Sequence, residues 1–174
     1  FGARRMVNTS KGRAGGFLLN HELTDFALSP HDESGRMLAN APGPAKRPRS
    51  SMSPLLLLQT QAAGGAPRVV GAIGSAGGPF IIHHVAQALW AMQHWQMTPQ
   101  QTCELGHWGI TDANGTLYLE SEVVPKHWQA ELQTLGHAVR AIELNSGLQV
   151  LMRQPHGQWL AGTDARREGL ALGN

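Results

Sequence analysis

Three pairs of residues have the types and the spacing to bind a polar substrate. They are two acids, two hydroxyl residues and two glycines: Glu22 and Asp25, Ser50 and Ser51, and Gly77 and Gly78. Two carboxylates suit an ammonium group, two hydroxyls suit a carboxylate, and paired backbone N–H groups suit an oxyanion. Taken alone, each pair is also typical of something ordinary: exposed acids or a helix cap, a polar loop end, and a tight turn.

The two glycines belong to a strand-to-helix corner at residues 69–79. The β-branched and apolar run before them predicts a buried strand, and Pro79 predicts the first residue of a helix. Such a corner leaves backbone N–H groups unpaired, and these can bind an anion or stabilise an oxyanion. Pro79 and Phe80 stand where a phosphate loop needs lysine and serine or threonine, and the glycine spacing fits a dinucleotide fingerprint poorly. A tight turn without a ligand remains the alternative.

Histidine and cysteine form no pattern that indicates a metal or redox site. His83 and His84 are adjacent on the predicted helix and therefore point in different directions, and none of the nine histidines belongs to an H-E-x-x-H motif. Cys103 is the single cysteine, which excludes an internal disulfide and a zinc ribbon, and the adjacent Glu104 would raise its pKa. We expect no metal, no cofactor, histidines at the surface or the edge of the core, and Cys103 inside it.

Composition indicates one globular domain over residues 1–174. The chain is 41% hydrophobic and 15% charged, which allows a sizeable core, and no apolar run is long enough to span a membrane. Residues 1–50 carry eight Lys or Arg against four Asp or Glu, but no nucleic-acid-binding motif accompanies this excess. We expect a solvated face or a cleft for an anionic substrate there, and no nucleic-acid partner.

Hydrophobic periodicity predicts antiparallel strands with helices inserted between them. Residues 1–16 are typical of a loop or an incomplete strand, and residues 27–49, with four prolines, predict a long surface loop. The predicted strands are residues 17–19, 55–58, 68–73, 115–119, 138–142, 148–152 and 159–163, and the predicted helices are residues 79–96, 99–105 (capped by Thr98) and 124–135. This pattern favours a sandwich of helical and sheet layers over a doubly wound parallel sheet.

Three stretches, in this order and spacing, resemble the small subunit of the γ-glutamyltransferases, which are N-terminal-nucleophile hydrolases. They are residues 16–26, residues 46–54 and residues 74–78. The most specific is the second, which reads Lys-Arg-Pro-Arg-Ser-Ser-Met-Ser-Pro. Near the end, Asp164-Ala165-Arg166 resembles the family's Asp-Pro-Arg. The resemblance covers nearly the whole chain and weakens between about residues 97 and 145.

The resemblance implies an α+β fold, a four-layer αββα sandwich completed by a larger subunit cut from the same precursor. It implies a γ-glutamyl amide hydrolase or transferase that acts on glutathione and related compounds through an acyl-enzyme. It also assigns roles to the three pairs: Glu22 and Asp25 would hold the α-ammonium group, Ser50 and Ser51 would bind the α-carboxylate, and Gly77 and Gly78 would form the oxyanion hole. Bacterial members imply a periplasmic or secreted location.

Several residues depart from the family's pattern. The family nucleophile is a threonine at the N-terminus of the small subunit, whereas Phe1-Gly2 resembles a Phe-Gly that follows it, so we expect the nucleophile outside these residues. The loop at residues 27–45 lacks an aromatic residue, and Pro79-Phe80 replaces a small polar residue. Two alternatives stay open: an acylase of the same fold for substrates without an α-ammonium group, and a truncated, non-catalytic subunit or binding module.

Overall fold

The computed structural model describes residues 13–14, 17–18, 22–61 and 64–173, and it divides into two compact units, Phe1–Ser50 and Ser51–Asn174. Most of the loop or incomplete strand predicted at residues 1–16 lies outside the described residues, as does the last residue of the strand predicted at 17–19. The single domain predicted over residues 1–174 stays a prediction.

The described part of the first unit contains short regular elements. Strand β1 (Arg13–Ala14) pairs antiparallel with β2 (Phe17–Leu18), and Glu22–Asp25 forms a turn of 3₁₀-helix. The 3₁₀ turn was not predicted, because four residues are too few to show a helical period.

The loop predicted at residues 27–49 has no helix, and its backbone is extensively hydrogen-bonded to itself. Leu38 N donates to Pro30 O at 2.9 Å, and Ala27 N donates to Asn40 O at 2.9 Å. Because these bonds satisfy backbone groups that would otherwise need water, the loop has a defined path rather than an arbitrary one.

The second unit is an α+β structure, which confirms the predicted class. In chain order its elements are β3 (Leu55–Gln59), β4 (Arg68–Gly74), α1 (Ile81–His94), α2 (Pro99–Cys103), β5 (Trp108–Ile110), β6 (Leu117–Glu120), α3 (Lys126–Thr134), β7 (Val139–Ile142), β8 (Gln149–Arg153) and β9 (Trp159–Thr163). Strands β3, β4, β8 and β9 form an antiparallel sheet in that order. Strands β5, β6 and β7 form a second sheet, in which β6 and β7 run parallel. The prediction of antiparallel strands is therefore wrong for this pair, because helix α3 crosses over between them and returns the chain to the same end of the sheet.

Local sequence signals explain the helix ends. Thr98 caps α2 through a reciprocal pair of hydrogen bonds with Gln101, as its position before Pro99 predicted. Helix α3 ends before Gly136, which adopts φ +92°, and this confirms the predicted glycine stop. Helix α1 begins later than predicted, because Gly78–Phe80 forms a separate 3₁₀ turn ahead of it.

The core of the second unit lies between the four-stranded sheet and helices α1 and α2. Its buried apolar members are Ile73, Ile81, Val85, Ala88, Cys103, Leu148 and Val150. Each large aliphatic side chain buried here contributes about 1.5–3 kcal/mol relative to an exposed one. A smaller cluster of Leu119, Val124 and Val139 lies between α3 and the second sheet. The core therefore fixes the strand-to-helix corner, because Ile73 precedes that corner and Ile81 follows it.

The other face of the four-stranded sheet is apolar and open. Side chains alternate along a strand, so the neighbours of the core residues point to the opposite side. Leu56 is 63% exposed and Leu151 is 38% exposed. Ala72 lies between them on β4, and Ala161 on β9 is the neighbour of Leu151 on its other side. None of the helices in the described residues is long and apolar enough to cross a membrane.

Replacement of Leu148 by alanine tests the position of the core. Leu148 is 0% exposed, so Leu148→Ala should lower the free energy of unfolding by about 2–5 kcal/mol through lost burial and a residual cavity. Leu135→Ala is the matched control, because Leu135 is 75% exposed and its truncation should cost less than about 0.5 kcal/mol. Urea unfolding of both variants measures the difference, and similar costs would contradict the assigned core.

Candidate functional site

The corner after β4 requires glycine at two successive positions. Gly77 has φ +135° and Gly78 has φ +61°, a region that side-chain-bearing residues rarely adopt. At Gly77 there is also no room for a side chain, since a Cβ atom would lie 2.7 Å from His84 Cε1. At Gly78 there is room, so its requirement is conformational.

The backbone N–H groups of this turn are available to a ligand. Within the described residues, neither the Gly77 N–H nor the Gly78 N–H donates a hydrogen bond. Their carbonyls are used, because Phe80 N donates to Gly77 O at 3.4 Å and Ile81 N donates to Gly78 O. Two unpaired donors at the start of a helical segment are suited to an oxyanion. A tight turn without a ligand remains the other interpretation of this geometry.

The residues before the glycines are held by side-chain and backbone contacts. Ser75 Oγ donates to Ala76 O at 2.8 Å and lies 3.2 Å from His84 Nδ1. Gly147 N, from the segment that leads into β8, donates to Ala76 O at 3.3 Å. The turn is thereby tied both to helix α1 and to the chain that follows β7.

A buried ion network lies under this part of the fold. The Arg166 guanidinium donates to Glu120 Oε2 at 2.8 Å and to Asp164 Oδ1 at 3.1 Å. It also donates to the carbonyls of Cys103 at 3.1 Å and Leu105 at 2.9 Å. Burial alone would lower the pKa of Arg166, but the hydrogen bonds to Glu120 and Asp164 raise it above its ordinary value. The guanidinium thus joins the C-terminal segment to α2 and to the second sheet.

Asp164 is fully buried and is kept ionised by its donors. Ser146 Oγ donates a short hydrogen bond to Oδ2, Leu148 N donates to the same oxygen at 3.2 Å, and Arg166 N donates to Oδ1 at 2.9 Å. Burial alone would raise the pKa of Asp164, but the nearby His107 ring and the hydrogen bonds from Ser146 and Arg166 hold it well below its ordinary value. A buried carboxylate with this many donors is a structural anchor rather than a general base.

The adjacent histidines of α1 point to different partners, as predicted. His83 Nε2 lies 2.8 Å from Ile110 O, whereas His84 Nδ1 lies against Ser75. His84 is only 1% exposed, and burial, assisted by electrostatic interaction with the neighbouring His107, lowers its pKa to about 3. The expectation of histidines at the surface or the edge of the core is therefore wrong for His84 and for His107, which is also 1% exposed. The place of His84 beside the glycine turn was not predicted, because a histidine on an apolar helix gives no signal of what it contacts.

Cys103 is a core residue, as predicted. It is 1% exposed, and its Sγ lies 3.7 Å from the carbonyl oxygen of Leu148. Burial raises the pKa of the Cys103 thiol to about 12, so little thiolate forms at neutral pH. A nucleophilic role for this residue therefore has no chemical support. Among the described residues, no three His, Cys, Asp or Glu side chains are grouped as metal ligands.

In the first unit, Asn40 links the segments that carry two of the predicted site residues. Asn40 Nδ2 donates to Asp25 O at 2.7 Å, and Asn40 Oδ1 accepts from Arg49 N at 2.9 Å. The amide therefore holds the end of the 3₁₀ turn beside the residue that precedes Ser50. Nothing in the sequence singled out Asn40, which lies within the long loop without a motif around it.

The remaining predicted site residues are placed only in part. Of Glu22 the structure describes the backbone, in the 3₁₀ turn three positions before Asp25, and the Asp25 side chain is exposed. Ser51 is half-buried and belongs to the second unit, as do Gly77 and Gly78. Lys46, next to the serine pair, is already engaged, because its Nζ donates to Ala39 O at 2.9 Å and to Ala41 O at 2.7 Å.

The buried His84 should make stability depend on pH. In the unfolded chain His84 takes up a proton as the pH falls below 6.5, whereas in the folded protein it does so only near pH 3. Its contribution is therefore complete above pH 6.5 and is lost as the pH falls through this window. Between pH 6.5 and 5, the free energy of unfolding should fall more steeply in the wild type than in His84→Asn, by up to about 1.4 kcal/mol per pH unit.

Urea unfolding at a series of pH values measures this difference in slope. His94→Asn is the matched control, because His94 is an exposed histidine on the same helix and should leave the slope near that of the wild type. Equal slopes for the wild type and His84→Asn would contradict the assignment of His84 as a neutral buried group.

Comparisons with known proteins agree with the resemblance in the sequence. The chain matches the model of the gamma-glutamyltranspeptidase family over residues 1–174. It is 28% identical over 160 residues to a glutathione hydrolase proenzyme of Bacillus subtilis (strain 168), an alignment that covers 91% of this chain and 25% of that protein. The chain thus spans about a quarter of the length of this curated relative.

Solved structures share the fold. The Helicobacter pylori gamma-glutamyltranspeptidase T380A mutant superposes with a TM-score of 0.72 at 25% identity, covering 92% of this chain and 86% of that one. An acivicin-inhibited gamma-glutamyltranspeptidase superposes with a TM-score of 0.73 at 26% identity, covering 94% and 90%. These neighbours confirm the N-terminal-nucleophile hydrolase fold. Matched by the family model from its first residue to its last, the chain belongs to the gamma-glutamyltranspeptidase family.

Proposed function

We propose that this chain is the small-subunit part of an enzyme that cleaves γ-glutamyl amide bonds, as in glutathione, and passes the γ-glutamyl group to water or to an amine. The observation that carries the proposal is the turn at Gly77 and Gly78, whose two N–H groups have no partner among the described residues, in a chain matched to this family over residues 1–174. The chemistry requires such donors, because negative charge develops on the amide oxygen during attack.

The proposed reaction has two steps through one acyl intermediate. A threonine hydroxyl supplied from outside these residues attacks the γ-carbonyl carbon, and the threonine's own α-amino group accepts the hydroxyl proton. The N–H groups of Gly77 and Gly78 donate to the oxyanion of the tetrahedral intermediate. The C–N bond then breaks, the amine leaves with the proton, and a γ-glutamyl ester remains. Water or a second amine attacks the ester and regenerates the hydroxyl.

We assign recognition of the glutamyl end to the first unit and to the adjoining serine. The carboxylates of Glu22 and Asp25 bind the α-ammonium group, and the hydroxyls of Ser50 and Ser51 bind the α-carboxylate. The contacts of Asn40 support this assignment, because they hold Asp25 beside the segment that leads to Ser50. Since Lys46 already donates to two carbonyls, hydroxyl donors are the better candidates for the carboxylate.

We propose that a larger subunit covers the open face of the four-stranded sheet. A sheet face on which Leu56 is 63% exposed needs a partner surface in a stable protein. The curated relative is a proenzyme about four times as long as the matched region, which leaves ample chain for such a subunit. By the same family inference, the two subunits arise from one self-processing precursor that is periplasmic or secreted.

Glu22 and Asp25 distinguish this proposal from the alternative, an acylase for substrates without an α-ammonium group. Only a γ-glutamyl substrate has an ammonium group for these two carboxylates to bind. A γ-glutamyl anilide and a glutaryl anilide differ only in that ammonium group. A preference for the first supports the proposal, equal rates favour the acylase, and no cleavage of either favours a non-catalytic subunit or binding module.

Replacement of Gly77 tests the oxyanion turn. In Gly77→Ala, the new methyl group meets His84 and the backbone loses φ +135°, so kcat for a γ-glutamyl anilide should fall about 100- to 1,000-fold. Gly74→Ala is the matched control at the end of β4, because a Cβ atom there meets nothing within 4 Å, and its kcat should stay near that of the wild type. Unchanged kcat in Gly77→Ala would remove the oxyanion assignment.

Replacement of Asp25 tests recognition of the ammonium group. Asp25→Asn removes one charged acceptor, which is worth about 1.5–3 kcal/mol, so KM for the γ-glutamyl anilide should rise about 10- to 100-fold. Glu33→Gln, at an exposed acid of the same unit, is the control and should leave KM unchanged. An equal rise in KM for the glutaryl anilide would refute the assignment, because that substrate has no ammonium group.

A further inference from the structure

The imidazole of His84 lies directly against the turn that carries the proposed oxyanion donors. The ring is so close to Gly77 that a methyl group there would come within 2.7 Å of Cε1 and 3.1 Å of Nδ1. Nδ1 also lies 3.2 Å from Ser75 Oγ. A single buried side chain thus contacts both the glycine and the residue two positions before it.

The His84 ring is itself held in place by aromatic neighbours. The His107 ring lies with its centroid 4.3 Å away at an interplanar angle of 36°, and the Phe80 ring is stacked at 6.3 Å and 16°. Phe80 ends the 3₁₀ turn that begins at Gly78, whereas His107 comes from the segment before β5. The position of His84 is therefore determined from two sides.

His107 connects His84 to the buried ion network. Its backbone N donates to Glu120 Oε2 at 2.8 Å, and its Nδ1 lies 3.3 Å from Gln87 Oε1. Because Gln87 Nε2 donates to Gly106 O, the Gln87 oxygen is the acceptor and Nδ1 of His107 is the donor. The Nε2 atom of His107 lies 3.8 Å from Asp164 Oδ2.

We propose that His84 is a positioning residue for the oxyanion hole: its ring supports Gly77 from inside the protein, and its contact with Ser75 fixes the direction of the Gly77 and Gly78 N–H groups. This inference rests on the proposed function. Donors stabilise an oxyanion only when they are held about 2.7–3.1 Å from it before reaction, and a misplacement of about 1 Å can cost about 100-fold in rate. Two glycines with positive φ have no side chains of their own to hold them.

Three variants of His84 distinguish the role of the ring from the role of its nitrogen, and a variant of Val85 controls for stability. His84→Ala removes both features, His84→Phe keeps a ring without nitrogen, and His84→Asn keeps a polar group near the place of Nδ1. Val85→Ala truncates the next residue of α1, which is 4% exposed and belongs to the apolar core. All are made in the full precursor that contains residues 1–174, and each is assayed with a γ-glutamyl anilide and by amide hydrogen exchange over residues 74–80.

His84→Ala should lower kcat about 10- to 100-fold while KM changes less than about twofold, because the donors act on the transition state more than on the bound substrate. His84→Asn should recover part of kcat, and His84→Phe should recover less. Exchange over residues 74–80 should quicken in His84→Ala. Val85→Ala should lower the melting temperature but leave kcat and exchange at the turn near the wild-type values.

Two results would overturn the inference: unchanged kcat in His84→Ala, or an equal loss of kcat in Val85→Ala, which would make stability the cause. Failure of the proposed function is distinguishable, because the wild type itself would then not cleave the anilide. In that case hydrogen exchange decides: faster exchange at residues 74–80 in His84→Ala alone supports the positioning role, and exchange equal to that of the wild type refutes it.

Discussion

The desolvated charge of Arg166 is the constraint on which most of the second unit depends. A guanidinium taken out of water is costly unless every donor is matched, and here two carboxylates and two backbone carbonyls match it. These partners come from the end of α2, the end of β6 and the C-terminal segment. Because loss of any partner would leave buried charge uncompensated, the three segments are obliged to meet at one point.

The glycine turn depends indirectly on the same pairing of Arg166 with Glu120 and Asp164. Glu120 and Asp164 fix the segment that carries His107, His107 lies against His84, and His84 lies against Gly77. The aliphatic core holds the ends of the corner at Ile73 and Ile81, whereas the side chain in contact with Gly77 is an imidazole. Within the described residues, the Nε2 atoms of both histidines are buried without a hydrogen-bond partner, which is an unfavourable arrangement that an aliphatic core would avoid. Aliphatic side chains, however, could not hydrogen-bond to Ser75 or interact electrostatically with the carboxylates of Glu120 and Asp164.

Much of this fold could be predicted from local patterns, and the rest depends on contacts between distant residues. The hairpin of β3 with β4, helix α1, the cap at Thr98 and the stop at Gly136 all follow from short-range periodicity and turn chemistry. Strand β5 does not, because three residues with a central glycine show no alternation, and Gly109 is required by the approach of His83. For the site, residue types indicated an oxyanion turn at Gly77 and Gly78, whereas the links through Asn40 and His84 join residues far apart in the chain. The roles of Glu22, Asp25, Ser50 and Ser51 stay predictions.

The open sheet face has a consequence for biosynthesis. If this chain were released alone with Leu56 and Leu151 exposed to solvent, self-association would compete with binding to the partner subunit, since exposed apolar strands favour aggregation during folding. On the proposed assembly, the covering subunit is part of the same polypeptide, so the encounter is intramolecular and its effective concentration is on the order of millimolar. Cleavage after folding would then produce two subunits that are already in contact, and would yield them in equal numbers.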